Sequence, residues 1–153
     1  MNDRLPDGSP FFVLDAEREF IGAAMLCESS DVLAVVLDRN DFRDKSLGAI
    51  WAAIVKAAGE GNPSAVVTGW LLERADVLDR VGGYAHLVEL MGRALVDQNF
   101  PHLTLLTHPP IIKEWAERRR GLEKAQSMAR HAMTGNVHRT PVWDRPEYQG
   151  ELS

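Results

Sequence analysis

Cysteine is nearly absent from this chain: Cys27 is the single one among 153 residues, so an intramolecular disulfide and a thiolate zinc cage are both excluded. Its neighbours Ala24, Met25 and Leu26 lie in an apolar helical stretch, which reads as the setting of a buried thiol rather than a reactive one. No apolar run approaches the ~20 residues a bilayer-spanning helix requires. Met1-Asn2-Asp3-Arg4 does not lead into a signal-peptide pattern, and the expected location is the cytoplasm. A glycine-rich loop ending in Gly-Lys-Ser/Thr, which would cradle phosphates, is missing; Gly59-Glu60-Gly61 lacks both its spacing and its lysine. The histidines at 86, 102, 108, 131 and 138 do not form the i, i+4 pair with an intervening glutamate that hydrolytic zinc helices use. They read as turn or surface residues, and no Gly-x-Ser-x-Gly elbow appears. The carboxylate pairs Asp41/Asp44 and Glu17/Glu19 read as solvated helix ends rather than acid-base machinery. No catalytic, cofactor-binding or metal-binding residue is therefore assigned, and a non-enzymatic protein is expected.

What is present is helical patterning. Hydrophobic residues make up 45% and charged residues 25% of the chain, the balance of a globular protein, and the length suits one compact core. Residues 1–14, with Pro6, Gly8 and Pro10, are expected as an extended arm, and Asp15 as the cap of a helix over about 16–27 carrying Phe20, Ala23, Ala24 and Cys27. Ser29 and Ser30 can cap a short helix that Val32, Leu33, Val35, Val36 and Leu37 predict to be largely buried. A turn at 40–44 precedes a helix with Leu47, Ile50, Trp51, Ile54 and Val55, ended by Gly59 to Pro63. Ser64 can cap a helix to about 75, with a short strand at Val66-Val67-Thr68 as the alternative. Gly82-Gly83 reads as a turn glycine pair opening a helix with Leu87, Leu90, Met91 and Ala94. The apolar stretch 103–106 is expected across the core, and Pro109-Pro110 as the start of a helix over about 110–133. Residues 15–108 thus form the expected bundle of five to six helices, 109–134 a long helix and 135–153 a flexible tail. The fold class is all-α.

Charge is divided unevenly. Residues 1–100 hold nine Lys/Arg against sixteen Asp/Glu, and residues 101–153 eight against six, so the body is acidic and the C-terminal third slightly basic. An acidic body disfavours phosphate contact, leaving Lys113 to Arg120, with Lys124 and Arg130, as the one stretch suited to nucleic acid. Glu114, Glu117 and Glu123 interrupt it as on an ordinary solvated face. The candidate partner-binding residues are Ile111, Trp115, Arg118, Arg119 and Leu122, with Trp115 as anchor because buried aromatics contribute most at interfaces.

One ordered set of residues carries a family likeness: Ala16-Glu17 and Gly22, Asp41-Phe42, Gly61-x-Pro63 before Val66-Val67-Thr68, Leu72-Glu73, then Gly82-Gly83 with Leu87 and Leu90. In that order it resembles the N-terminal domain of DnaB-type replicative helicases over roughly residues 14–130. The resemblance implies an all-α module acting by protein contact in DNA replication, with a helicase, primase or loader as partner. It also implies that the helix from 110 could pair with a second copy as a homodimer, and the module is expected to act without the family's ATPase domain. This sequence departs from the family pattern at Ser46 and His86, and in a proline-containing insertion after Asn99. The alternatives are a DNA-binding regulator using the basic C-terminal helix and a degenerate helicase remnant without a partner.

Overall fold

The computed structural model describes residues 10–96 and 100–138. The protein is all-α: α1 (Phe11–Ala24), α2 (Ser29–Leu33), α3 (Lys45–Gly59), α4 (Ala65–Arg74), α5 (Gly83–Val96) and α6 (Pro101–His138), with 3₁₀ turns at Arg39–Asp41 and Asp79–Val81. Val66 to Thr68 are helical, within α4. The chain forms two compact units, Met1–Glu117 and Arg118–Ser153. Residues 1–9 of the expected arm, and the expected tail from 139 onward, lie outside the described residues.

The first unit is built on a trio of rings. Phe20 of α1, Phe42 and Trp51 of α3 lie with centroids 4.9 to 6.3 Å apart, in tilted pairs that suit the quadrupoles of aromatic faces and edges. The Trp51 indole, fully enclosed, donates to the Leu37 carbonyl at 2.9 Å, so its one polar group is satisfied. Around the trio pack Ile21, Leu47, Ile50, Ile54, Leu72, Leu87, Leu90 and Ile112, drawn from α1, α3, α4, α5 and α6. Burying such side chains contributes roughly 1.5–3 kcal/mol each, which is why the apolar spacing along each helix specifies its inward face.

Helix ends follow local chemistry. The Asp44 side chain accepts from the amides of Ser46 and Leu47, capping α3, and Ser64 caps α4 through Val67. Gly82 has φ 102° and Gly83 φ 73°, left-handed conformations that side chains resist, so the glycine pair turns the chain between the second 3₁₀ turn and α5. Gly22 serves differently. A Cβ there would collide with the Leu90 carbonyl, so its absence is what lets α1 and α5 touch along their backbones.

Several boundaries differ from the sequence reading. Helix α1 begins at Phe11, with Pro10 as its non-helical N-cap, and Asp15 lies inside it. Burial decides this: Val13, Ala16, Glu17, Phe20 and Ala24 form one inward face at spacings of three and four, so the helix gains a turn by starting early. Helix α2 ends at Leu33 and buries only Val32; Glu28 rather than a serine is its N-cap, and Leu33 and Val36 are exposed. The chain must leave the helix there, because Asp38 is extended to cap the next turn. Helix α6 begins at Pro101, and Pro109 and Pro110 fall inside it rather than at its start. Proline at the first helical position loses nothing, whereas at 109 and 110 two main-chain donors are missing.

The glycines generate a test by chemical denaturation. Gly22→Ala is expected to destabilise the protein by about 2 kcal/mol or more, because a backbone carbonyl cannot move aside. Gly92→Ala, in α5 with open space around it, is expected to raise stability by about 0.5–1 kcal/mol. Equal effects at both positions would contradict the packing described.

Candidate functional site

Two carboxylates read as solvated helix ends are in fact fully buried, Glu17 and Asp41. Glu17 is held on the inward face of α1, where its Oε2 accepts from the Arg43 amide at 2.8 Å and its Oε1 from the Asp44 amide at 3.2 Å. Those amides belong to the turn entering α3, so one side chain ties α1 to that entrance. Asp41 accepts from the Asp38 amide at 2.8 Å, while Asp38 accepts from Asn40, a reciprocal box that closes the 3₁₀ turn. The same Asp41 Oδ2 receives Lys113 Nζ of α6 at 3.3 Å. A second tie comes from His108, whose Nε2 lies 2.8 Å from Glu19 and whose Nδ1 lies 3.0 Å from the Thr107 hydroxyl. His108 is thus a partly buried link between α6 and α1, not a turn residue. These carboxylates hold backbone and neighbouring cations in place. Among the described residues, no group of three or more His, Cys, Asp or Glu is arranged to hold a metal ion.

The ties place the first part of α6 beside the exposed segment after α2, and a groove opens between them. Its floor and walls are Val35, Val36, Leu105, Leu106, Pro109 and Pro110, enclosing about 380 Å³. Val36 is 84% exposed and Leu106 63% exposed, a degree of apolar exposure on facing walls that the core does not require. The rim is polar: His102 lies 3.5 Å from Asp31, and Lys113 is engaged by Asp41.

The five candidate partner residues fall on both units. In the first, Ile111 is half-buried, and Trp115 packs edge-to-face on Phe12 with centroids 6.2 Å apart. The buried stripe of this part of α6 runs through Leu105, Ile112 and Ala116, one position on from the Ile111 and Trp115 spacing read from the sequence. In the second unit, Arg118 is exposed, Arg119 half-buried and Leu122 47% exposed. The groove residues Val36, Leu106, Pro109 and Pro110 were not among the candidates. Their signal was the Pro109-Pro110 pair, which reads as a helix start until the buried Leu105 shows the helix already under way.

Cys27 is half-buried and free, and its thiol is pushed up to about 11, first by burial and then by the neighbouring Asp31 carboxylate. It is therefore protonated at neutral pH and a poor nucleophile. No helix among the described residues is long and apolar enough to cross a membrane.

Comparison with known proteins gives two findings. The family model of the DnaB-like helicase N-terminal domain matches residues 9–105. The chain is also similar to the crystal structure of the N-terminal domain of DnaB helicase from Mycobacterium tuberculosis, with 25% sequence identity and a TM-score of 0.68 over 92% of this chain and 96% of that one. No curated protein matches.

Two outcomes are expected from this geometry. Glu17→Ala leaves two amides of a packed turn without their acceptor and is expected to cost about 3 kcal/mol in denaturant unfolding, while Glu17→Gln, which keeps one acceptor oxygen, costs roughly half as much. A solvated Glu17 would show neither loss. Cys27 modification by an aromatic disulfide reagent is expected to be about a hundredfold slower at pH 8 than for an ordinary exposed thiol, and to accelerate only as pH rises toward 11. The sign is fixed by the upward shift, which empties the thiolate state at lower pH; rapid labelling at pH 8 would contradict it.

Proposed function

Since this chain belongs to the family of DnaB-like helicase N-terminal domains, we propose that it is a non-catalytic protein-contact module of DNA replication, docking on a helicase, a primase or a helicase loader. The observation that supports this reading is the apolar groove between the segment after α2 and the first part of α6, with Val36 and Leu106 exposed on facing walls. Exposed apolar walls are disfavoured in water unless a partner covers them. Of the residues favoured on sequence grounds, Ile111 and Trp115 belong to the first unit and serve as a secondary contact there. Arg118, Arg119 and Leu122 form a separate candidate contact on the second unit, and self-pairing of the helical stretch 110–133 would make a homodimer.

Contact with DNA is the weaker reading, because residues 1–100 carry sixteen acidic against nine basic residues.

The test is binding of the purified chain to purified replicative helicase, primase and loader, measured by calorimetry beside the Val36→Asp variant. At least one of the three is expected to bind, with affinity falling by about tenfold or more in the variant, since a buried unpaired carboxylate opposes docking. Absence of binding to all three, together with salt-dependent binding to duplex DNA, would overturn the proposal.

A further inference from the structure

We infer that the groove beside Pro109 and Pro110 takes a basic, apolar peptide segment that donates a hydrogen bond to the main chain of α6; this rests on the protein-contact role proposed above and specifies the chemistry of the contact. In an α-helix the carbonyl of each residue receives the amide proton of the residue four positions on. Proline has no amide proton, so Pro109 and Pro110 leave the carbonyls of Leu105 and Leu106 without their α-helical donors. Residues four apart share a helix face, so the two acceptors lie on the strip of α6 bounded by Leu105, Leu106, Pro109 and Pro110, and all four line the groove. Leu105 lies buried in the floor, whereas Leu106 is 63% exposed at the groove. The groove therefore combines apolar walls with main-chain acceptor capacity, and its own cation, Lys113, is already engaged by Asp41.

Charge selects among the visitors. Residues 1–100 carry seven more acidic than basic side chains, and Asp31 stands at the groove itself. That field favours a basic segment and repels an acidic one, including the acidic body of a second copy of this chain. Arginine fits best, because its guanidinium presents several donors in a planar fork while its stem lies along apolar walls. A cavity of about 380 Å³ admits a few side chains rather than a folded surface. The occupant is thus a short segment with one or two large apolar residues flanked by arginine.

Selection of random dodecapeptides on the full 153-residue chain tests this, with the best synthetic peptide then titrated by fluorescence polarisation. Apolar, arginine-containing sequences are expected, with binding lost in Val36→Lys, which removes an apolar wall and repels the peptide's cation. Replacing the peptide's arginine by norleucine is expected to weaken binding to the wild type by about tenfold. In Pro110→Ala, which supplies an amide proton to the Leu106 carbonyl, the same replacement is expected to matter little, while the melting temperature holds or rises. Acidic or uncharged consensus sequences, no selected peptides, binding unaffected by Val36→Lys, equal arginine dependence in Pro110→Ala, or a self-associated dimer dispersed by Val36→Lys would each overturn the inference. If a helicase, primase or loader binds and basic peptides do not, this inference fails and the protein-contact role stands; if basic peptides bind the groove and none of those proteins does, the replication role fails instead.

Discussion

The buried Glu17 carboxylate is the constraint from which the arrangement of the first unit follows. A charged group with no exposure is tolerated only where hydrogen bonds replace its hydration, and the amides of Arg43 and Asp44 do so. That pairing fixes where α1 meets the entrance of α3. Neighbouring Asp41, buried in the same turn, carries the connection on to Lys113 and so to α6. Two acidic residues thereby convert a short turn into the junction of three helices. The aromatic trio of Phe20, Phe42 and Trp51 packs directly against this junction, with Phe42 adjoining the turn. Polar anchoring and apolar packing therefore specify the same arrangement, the consistency expected of a well-determined fold.

The groove is a consequence of that junction. Lys113 and His108 hold the first part of α6 against Asp41 and Glu19, leaving Leu106, Pro109 and Pro110 facing Val35 and Val36. The prolines matter twice, since they give the wall its apolar shape and remove two amide donors from the helix. A helix meant only to pack would have little use for them. Tertiary ties from α6 to α1 and to the 3₁₀ turn offset the loss of helical bonds at that point, a loss of several kcal/mol in an unsupported helix.

The fold was largely legible because its signals are local. Apolar spacing around Trp51, the Asp44 and Ser64 caps and the Gly82-Gly83 turn each act within a few residues, and the ordered motifs carry the family likeness on their own. The candidate site was far less legible. Glu17 looks solvated because its partners lie 26 and 27 residues away, and Asp41 because Lys113 lies 72 residues away. No periodicity predicts such pairs. Val36 sits in an apolar run, Val32 to Leu37, that reads as core, yet the chain leaves its helix at Leu33 and turns that residue outward. The stripe on α6 lies at Ile112 rather than Ile111 because it continues from Leu105, seven residues earlier on the same face, and a helix read as starting at 110 leaves Leu105 out of the register.

The central claim is that this family member meets its partner at the α2–α6 groove, and methyl NMR reports it most directly. Side-chain methyl resonances of the isotopically labelled chain would be followed as the unlabelled replicative helicase, primase or loader is added. The account predicts that Val35, Val36, Leu105 and Leu106 shift or broaden together, while Val66 and Val88, exposed on α4 and α5, stay unchanged. Perturbation confined to Val66 and Val88, with the groove methyls silent, would contradict it.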